Sequence, residues 1–290
     1  MPEDFIQRLA FRHSAGRRSP VDVIRLSRLR ARELDHSMHD PTRLAFHLVQ
    51  FVLSGEGAHR VDFERVELRP GDVLHVRPEQ VHAFDPEVDH EALVLMFTPR
   101  ALEEAHIPQS ARWQASTVLR PAPDDFRILT ELLRVQEALD TESSELRAGS
   151  VGPHLLATIL AGLADVVSAH QGSLDLAAQR YEELVLEFEA LLDRHHASSR
   201  TQAWYAEQLG TTPRTLARAC RVARATSPKR KIDLRVVLEA KRLLATTPET
   251  VEAIGYRLGF SEPTNFVKFF RRIVGSPPDA FRHEQARGGL

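Results

Sequence analysis

With one cysteine, Cys220, among 290 residues, the chain cannot form an internal disulfide and offers no thiolate pair for zinc. It also lacks any run of about 18 or more apolar residues, the length a membrane-crossing helix requires. Its first twenty residues, MPEDFIQRLAFRHSAGRRSP, put acids and arginines where a secretory signal carries an apolar core. The expectation is a cytoplasmic protein without membrane contact. Apolar residues are nevertheless plentiful: 42% of the chain is hydrophobic and 27% charged, enough for one large domain or two ordinary ones, and two is the expectation at this length.

A net charge of −2 conceals an asymmetry. From Arg200 onward there are 17 Lys or Arg against 8 Asp or Glu, whereas residues 1–199 carry 21 against 32. The basic C-terminal third therefore suits a polyanion, or is simply a soluble basic domain. Residues 20–100 read as short strands. LAFHLVQFVL, VLHVRP and ALVLMFTP are apolar runs, AHRVDFERVEL alternates, and SGEG and RPGD mark turns, which suggests a small antiparallel barrel or sandwich. From about 124 to 196 apolar residues recur every three or four positions, the pattern of amphipathic helices. The small polar segment ASSR at 197–200 coincides with the change of charge and is taken as the domain boundary.

Beyond it lies a weak repeat, LGTTPRTLARACR at 209–221 against LGFSEPTNFVKFFR at 258–271, aligned by one extra residue after the second glycine. Each copy reads as helix, glycine turn, helix, with Thr212 capping before Pro213 and Ser261 serving the same end before Pro263. Helical spacing puts Leu216, Ala219, Cys220 and Ala223 on one face, and Arg214, Ala217, Arg218 and Arg221 on the other. In the second copy Phe266, Phe269, Phe270 and Ile273 face inward, and Thr264, Val267, Lys268 and Arg271 outward. Neither outer face carries an acid, although a solvated face ordinarily mixes both signs. A helix of this width fits the major groove of DNA, where Arg and Lys donate to guanine or phosphate and Ala or Val touches a thymine methyl.

The stretch RVVLEAKRLLATTPETVEAIGYRLGFSEPTNFVKFFRRIVGSPPDAFR, residues 235–282, resembles the C-terminal signature of the AraC family of transcriptional regulators. The resemblance implies seven helices in two helix-turn-helix subdomains, joined by a linker helix near Lys231–Ala245. It implies double-stranded DNA as partner, with base contacts from Arg214, Ala217, Arg218, Thr264, Val267 and Lys268 and phosphate contacts from Arg221 and Arg271. Ala225 stands where the family usually has Gly, Gly255 where it usually has Ala, and Ala219-Cys220 where a Phe is common. VQFVLSGEGAHRVDFERVELRPGDVLHVRPEQVHAF, residues 49–84, resembles the cupin-like sensing domain of many such regulators, although Glu79 replaces the glycine expected three residues before His82.

The fold expected is therefore α+β and multidomain. A cupin-like β-barrel spans 1–123, a helical dimerisation segment 124–197, and an all-α DNA-binding domain with two helix-turn-helix motifs 198–290. The resemblance further implies a small-molecule effector and a homodimer, with RNA polymerase left open as another partner. Ligand-pocket candidates are His36, His39, His47, His75 and His82. The spaced His-X-His and Glu of a cupin metal site are missing, so no metal, cofactor or catalytic residue is expected. Two alternatives stand beside this reading: a cupin-type metalloenzyme with a DNA-binding appendage, and a regulator that answers to a protein partner.

Overall fold

The computed structural model describes residues 6–13, 16, 19–32, 40–85, 90–107, 117–142, 145–170 and 176–286. The chain divides into two compact units, residues 7–172 and residues 173–290 together with 1–6.

The first unit carries two short helices, α1 (Leu26–Arg32), within the range expected to be strands, and α2 (Pro99–Glu104), and its strands form two five-stranded sheets. One has the order β1 (Gln7–Leu9), β3 (Thr42–Leu44), β8 (Val81–Phe84), β5 (Gly57–Val61), β6 (Glu64–Leu68). The other has the order β10 (Val118–Leu119), β7 (Val73–Val76), β4 (His47–Ser54), β9 (Glu91–Phe97), β2 (Val21–Arg25). The pairs are antiparallel apart from β1 with β3. Both faces of the second sheet are buried, and the two-residue pleat sorts its side chains into two cores. Leu48, Val52, Leu74, Val76, Val94 and Met96 face the first sheet, where they meet Leu44, Val61, Leu68 and Phe84. Val49, Phe51, Val73, Leu93, Leu95 and Phe97 point the other way. They pack against Leu129 and Leu133 of α3 (Pro123–Glu142) and Leu156, Ile159 and Leu163 of α4 (Glu145–His170). At about 1.5–3 kcal/mol per buried large apolar side chain, these two layers supply the main drive for the unit.

The alternating run AHRVDFERVEL, in which no turn was expected, is the β5–β6 hairpin. Asp62 and Phe63 form its two-residue turn, both with positive φ (49° and 75°). Asn-Gly or Asp-Gly is the usual signal of such a turn, and a phenylalanine in its second place conceals it. Glu79 adopts φ 66°, the left-handed conformation for which a glycine is expected there. Its carboxylate holds Arg43 at 2.8 Å and Arg8 at 2.5 Å, which fixes the turn before β8.

The second unit consists of α5 (Leu176–His195), α6 (Gln202–Gln208), α7 (Pro213–Arg224), α8 (Pro228–Thr246), α9 (Val251–Arg257), α10 (Pro263–Val274) and α11 (Pro278–Ala286). The expected boundary at 197–200 is corrected. Helix α5, assigned from sequence to the N-terminal domain, lies within the second unit and packs on α7. Its Val185, Phe188 and Leu192 are buried. Its acids bind the basic helices: Glu182 chelates Arg224 at 2.6 and 2.7 Å, Glu189 pairs with Lys231, and Asp193 with Arg235 at 2.6 Å. The ASSR segment is not a free linker either, since the Ser199 carbonyl accepts from the Tyr205 hydroxyl at 3.0 Å and Arg200 donates to the Gly259 carbonyl at 2.9 Å.

Ala225 closes α7 with φ 48° and ψ 32°, the conformation of a left-handed C-cap. For a residue with a Cβ this geometry costs about 1–2 kcal/mol. Ala225→Gly is therefore expected to raise stability by up to about 1 kcal/mol, the gain in native strain being reduced by the entropy of the extra glycine. An unchanged denaturation midpoint would show that the cap carries no strain.

Candidate functional site

The two repeated units each place a short amphipathic helix behind a tight turn. In the first, Leu216, Ala219 and Cys220 of α7 are buried, and burial pushes the Cys220 thiol up to about 11, so it packs as a small apolar group. In the second, Phe266 and Phe270 of α10 are buried, Phe260 and Phe281 lying against them at centroid distances of 5.3 and 5.8 Å. Thr212 caps α7 by accepting from the Thr215 amide at 3.1 Å. The expected cap at Ser261 is corrected, because the N-cap of α10 is Glu262 and its side chain makes no capping bond. Gly255 also finds its reason here: a Cβ at that position would lie 3.1 Å from the Cβ of Phe266, so the glycine lets α9 approach α10 closely and offsets its poor helix propensity.

With those anchors inward, Arg214, Arg218 and Arg221 of α7 and Thr264, Lys268 and Arg271 of α10 are exposed, while Ala217 and Val267 are partly covered. Ion pairing separates these bases from seven others of the unit. Arg224, Lys229, Lys231, Arg235, Arg242, Arg257 and Arg272 each engage an acid of the same unit. Among the described residues no ion pair engages Arg214, Arg221, Lys268 or Arg271, and Arg218 lies only over the ring of Tyr181, 5.6 Å from its centroid. Cations left without acids on the outer faces of two such helices form a surface suited to an anionic polymer.

The histidines of the β unit are divided by the pleat. His47 and His75 occupy the positions of β4 and β7 that share a side with Val49, Phe51 and Val73, so they face the layer packed by α3 and α4. His47 stacks on Phe97 and shares a hydrogen bond of 3.0 Å between its Nδ1 and His75 Nε2. Burial, then the nearby Arg77, lowers the His47 pKa to about 3, and burial holds His75 well below its usual range. His82 instead shares a side with Phe84 and points between the sheets, where its Nδ1 meets His59 Nε2 at 2.9 Å. Gln50 and His90 contact each other through their side-chain nitrogens, and His90 lies near enough to His59 to depress its pKa further, after burial and His82. The single pocket expected from His47, His75 and His82 is thus corrected. The first two belong to the helix-facing layer, and the interior polar group is Gln50, His59, His82 and His90. His36 and His39 lie outside the described residues.

Among the described residues, Gln50 Oε1 and His59 Nδ1 of that interior group are buried without a hydrogen-bond partner. Elsewhere on the unit an open cleft of about 810 Å³ is lined by Phe11, Arg12, His13, Thr98, Arg100 and Glu104 among others, and none of the expected histidines is among its described lining residues. Among the described residues no three His, Cys, Asp or Glu side chains are grouped so as to hold a metal ion, and no helix is long and apolar enough to cross a membrane.

Comparison with known proteins finds the model of the AraC-like ligand binding domain over residues 23–156 and that of a helix-turn-helix domain over residues 205–284. The two sit in series on one chain, one on each compact unit. This chain belongs to the AraC family of transcriptional regulators. It is 23% identical over 238 residues to the uncharacterised HTH-type transcriptional regulator YobQ of Bacillus subtilis, covering 81% of this chain and 86% of that one. It is 26% identical over 252 residues to the HTH-type transcriptional activator RhaS of Escherichia coli, covering 84% and 87%. Among solved structures, ToxT of Vibrio cholerae aligns with 91% of this chain and 97% of its own at 12% identity, with a TM-score of 0.41.

As an AraC-family member the protein is a DNA-binding transcriptional regulator with an N-terminal ligand-binding domain. Residues 198–290, where the resemblance implied seven helices, hold six among the described residues, α6 to α11, and α5 joins them in the same compact unit. The linker helix, expected near Lys231–Ala245, is α8, which spans Pro228–Thr246. Sequence reasoning missed Tyr181 and Glu182, which sit in a segment read as sensing-domain helix. The signal available was the acidic run of α5, Glu182, Glu183, Glu187, Glu189 and Asp193, lying just upstream of a basic domain that needed counter-charges.

Proposed function

We propose that this AraC-family regulator reads a specific double-stranded DNA site through α7 and α10, under the control of a small molecule bound in the β unit. Arg214, Ala217, Arg218, Thr264, Val267 and Lys268 contact bases, and Arg221 and Arg271 contact phosphates. The observation that carries this reading is the pairing pattern: Arg224, Lys231, Arg235 and Arg272 of the second unit engage acids, whereas among the described residues no ion pair engages Arg214, Arg218, Arg221, Lys268 or Arg271 on the two outer faces. The protein acts in the cytoplasm as a homodimer and catalyses no reaction. For the effector, the polar group between the sheets supports the reading, because Gln50 Oε1 and His59 Nδ1, without hydrogen-bond partners among the described residues, are an acceptor and a ring nitrogen that a polar ligand or water satisfies.

Base reading and phosphate contact separate by mutation. Arg218→Ala is expected to cost about 1–3 kcal/mol on the best site and to relax preference at one or two adjacent base pairs, with non-specific binding much less affected. Selecting sites from a random DNA pool with wild type and variant in parallel decides it, and identical preferences for the two would remove Arg218 from the readers. Arg271→Ala is expected to weaken binding to all sequences alike and to flatten the log-log salt dependence by about one unit. An unchanged slope in a salt titration would take Arg271 off the phosphate contacts.

A further inference from the structure

We infer that Tyr181, on the first helix of the DNA-binding unit, is a positioning residue for Arg218 and so a determinant of DNA specificity; the inference rests on Arg218 being a base reader. Arg218 is exposed and carries a long flexible side chain, and no acid among the described residues holds it. What it meets is the ring of Tyr181, with its guanidinium carbon 5.6 Å from the ring centroid. The ring offers no carboxylate to consume the paired N–H donors with which an arginine grips guanine O6 and N7. A ring beside the side chain therefore restricts the arginine rotamers without tying the donors to an acid. Ordering the side chain before binding lowers the entropy lost on the base.

Helix α5 is built to hold that ring in place. Tyr181 stands four residues before the buried Val185 and seven before the buried Phe188, on the side of α5 that packs against α7. The adjacent Glu182 is 5% exposed and grips Arg224 of α7 through both carboxylate oxygens at 2.6 and 2.7 Å. A bidentate carboxylate–guanidinium pair fixes both distance and rotation between the helices, and it does so one residue from Tyr181. The second recognition helix, α10, has no equivalent ring among the described residues over Lys268.

The test uses the full-length protein with Tyr181→Ala, Tyr181→Phe and Arg218→Ala, selecting sites from a random DNA pool and measuring affinity for the best site, salt slope and thermal unfolding. Tyr181→Ala is expected to relax preference at the same base pairs as Arg218→Ala and to weaken the best site about two- to fivefold, with an unchanged salt slope. Tyr181→Phe keeps the ring and is expected to restore preference and affinity. Tyr181→Ala added to Arg218→Ala is expected to cost nothing further in specificity. Three outcomes overturn the inference while leaving Arg218 a reader: wild-type preferences in Tyr181→Ala, a uniform loss over all sequences that follows a lowered unfolding temperature, or a sharpened preference, which would mean that the ring sequesters the arginine. Unaltered preferences in Arg218→Ala would overturn both the inference and the reading on which it rests.

Discussion

A fragment of residues 173–290 is expected to unfold cooperatively and to bind DNA, whereas a fragment that begins at Arg200 is expected to be largely unfolded. The difference is α5. Val185, Phe188 and Leu192 are each at most 4% exposed, and the ring of Phe188 packs edge-on against the fully buried Tyr205 at 5.3 Å. At about 1.5–3 kcal/mol per buried side chain, losing those three alone removes on the order of 5–9 kcal/mol, as much as the whole stability of an ordinary domain. The loss is compounded on the other side of the interface. Ala219 and Cys220, both 0% exposed, lie on the α7 face, and Arg224, Lys231 and Arg235 lose Glu182, Glu189 and Asp193. Circular dichroism and thermal unfolding of the two fragments, followed by gel-shift titration, check this. A cooperative transition in the shorter fragment close to that of the longer one would show that α5 is an attachment and not a part of the core. The longer fragment is expected to bind more weakly than the full chain, because it lacks a paired partner and with it the gain in effective concentration.

Gly259→Ala is expected to be far more damaging than Gly210→Ala, although the two glycines occupy matching places in the repeat. Both have positive φ, +60° at Gly210 and +76° at Gly259, so each alanine carries the left-handed cost of about 1–2 kcal/mol. Around Gly210 an added Cβ meets nothing within 4 Å, whereas at Gly259 it would stand 2.4 Å from the backbone carbonyl oxygen of Ala197. A backbone atom cannot swing aside as a side chain can. Relieving the clash requires moving the 197–200 segment, which Arg200 pins by donating to the Gly259 carbonyl at 2.9 Å and by lying over the Phe260 ring at 3.8 Å. The expected losses are therefore about 1–2 kcal/mol for Gly210→Ala and about 3 kcal/mol or more for Gly259→Ala. Denaturant unfolding of the two variants gives the comparison, and equal losses would show that the turn of the second motif does not bear on residue 197.

The same residues show where the chain's own pattern was sufficient. The inward and outward sides of α7 and α10 follow from spacing alone, since an isolated short helix has one way to bury Leu216, Ala219 and Cys220, or Phe266 and Phe270, and that choice places Arg218 and Lys268 outside. The turn glycines, the Thr212 cap and the linker helix rest on equally local physics. So does the strand character of residues 20–100, apart from Leu26–Arg32, which form a helix. The β5–β6 hairpin was hidden because Asp62 and Phe63 accept positive φ without the glycine that ordinarily advertises it.

What the sequence determined by itself is the set of elements and the polarity of each helix, because both are fixed within a few turns of chain by side-chain period and backbone preference. Only the tertiary structure decided which unit owns α5, for an amphipathic acidic helix can cover a barrel or a basic bundle equally well, and the choice was made by Glu182, Glu189 and Asp193 finding Arg224, Lys231 and Arg235. It alone decided, too, which histidines meet. The run HLVQFVL is apolar on both sides of the pleat, so nothing local says which side faces the other sheet. Packing against α3 and α4 took His47 to one layer, and the first sheet kept His59 and His82 in the other.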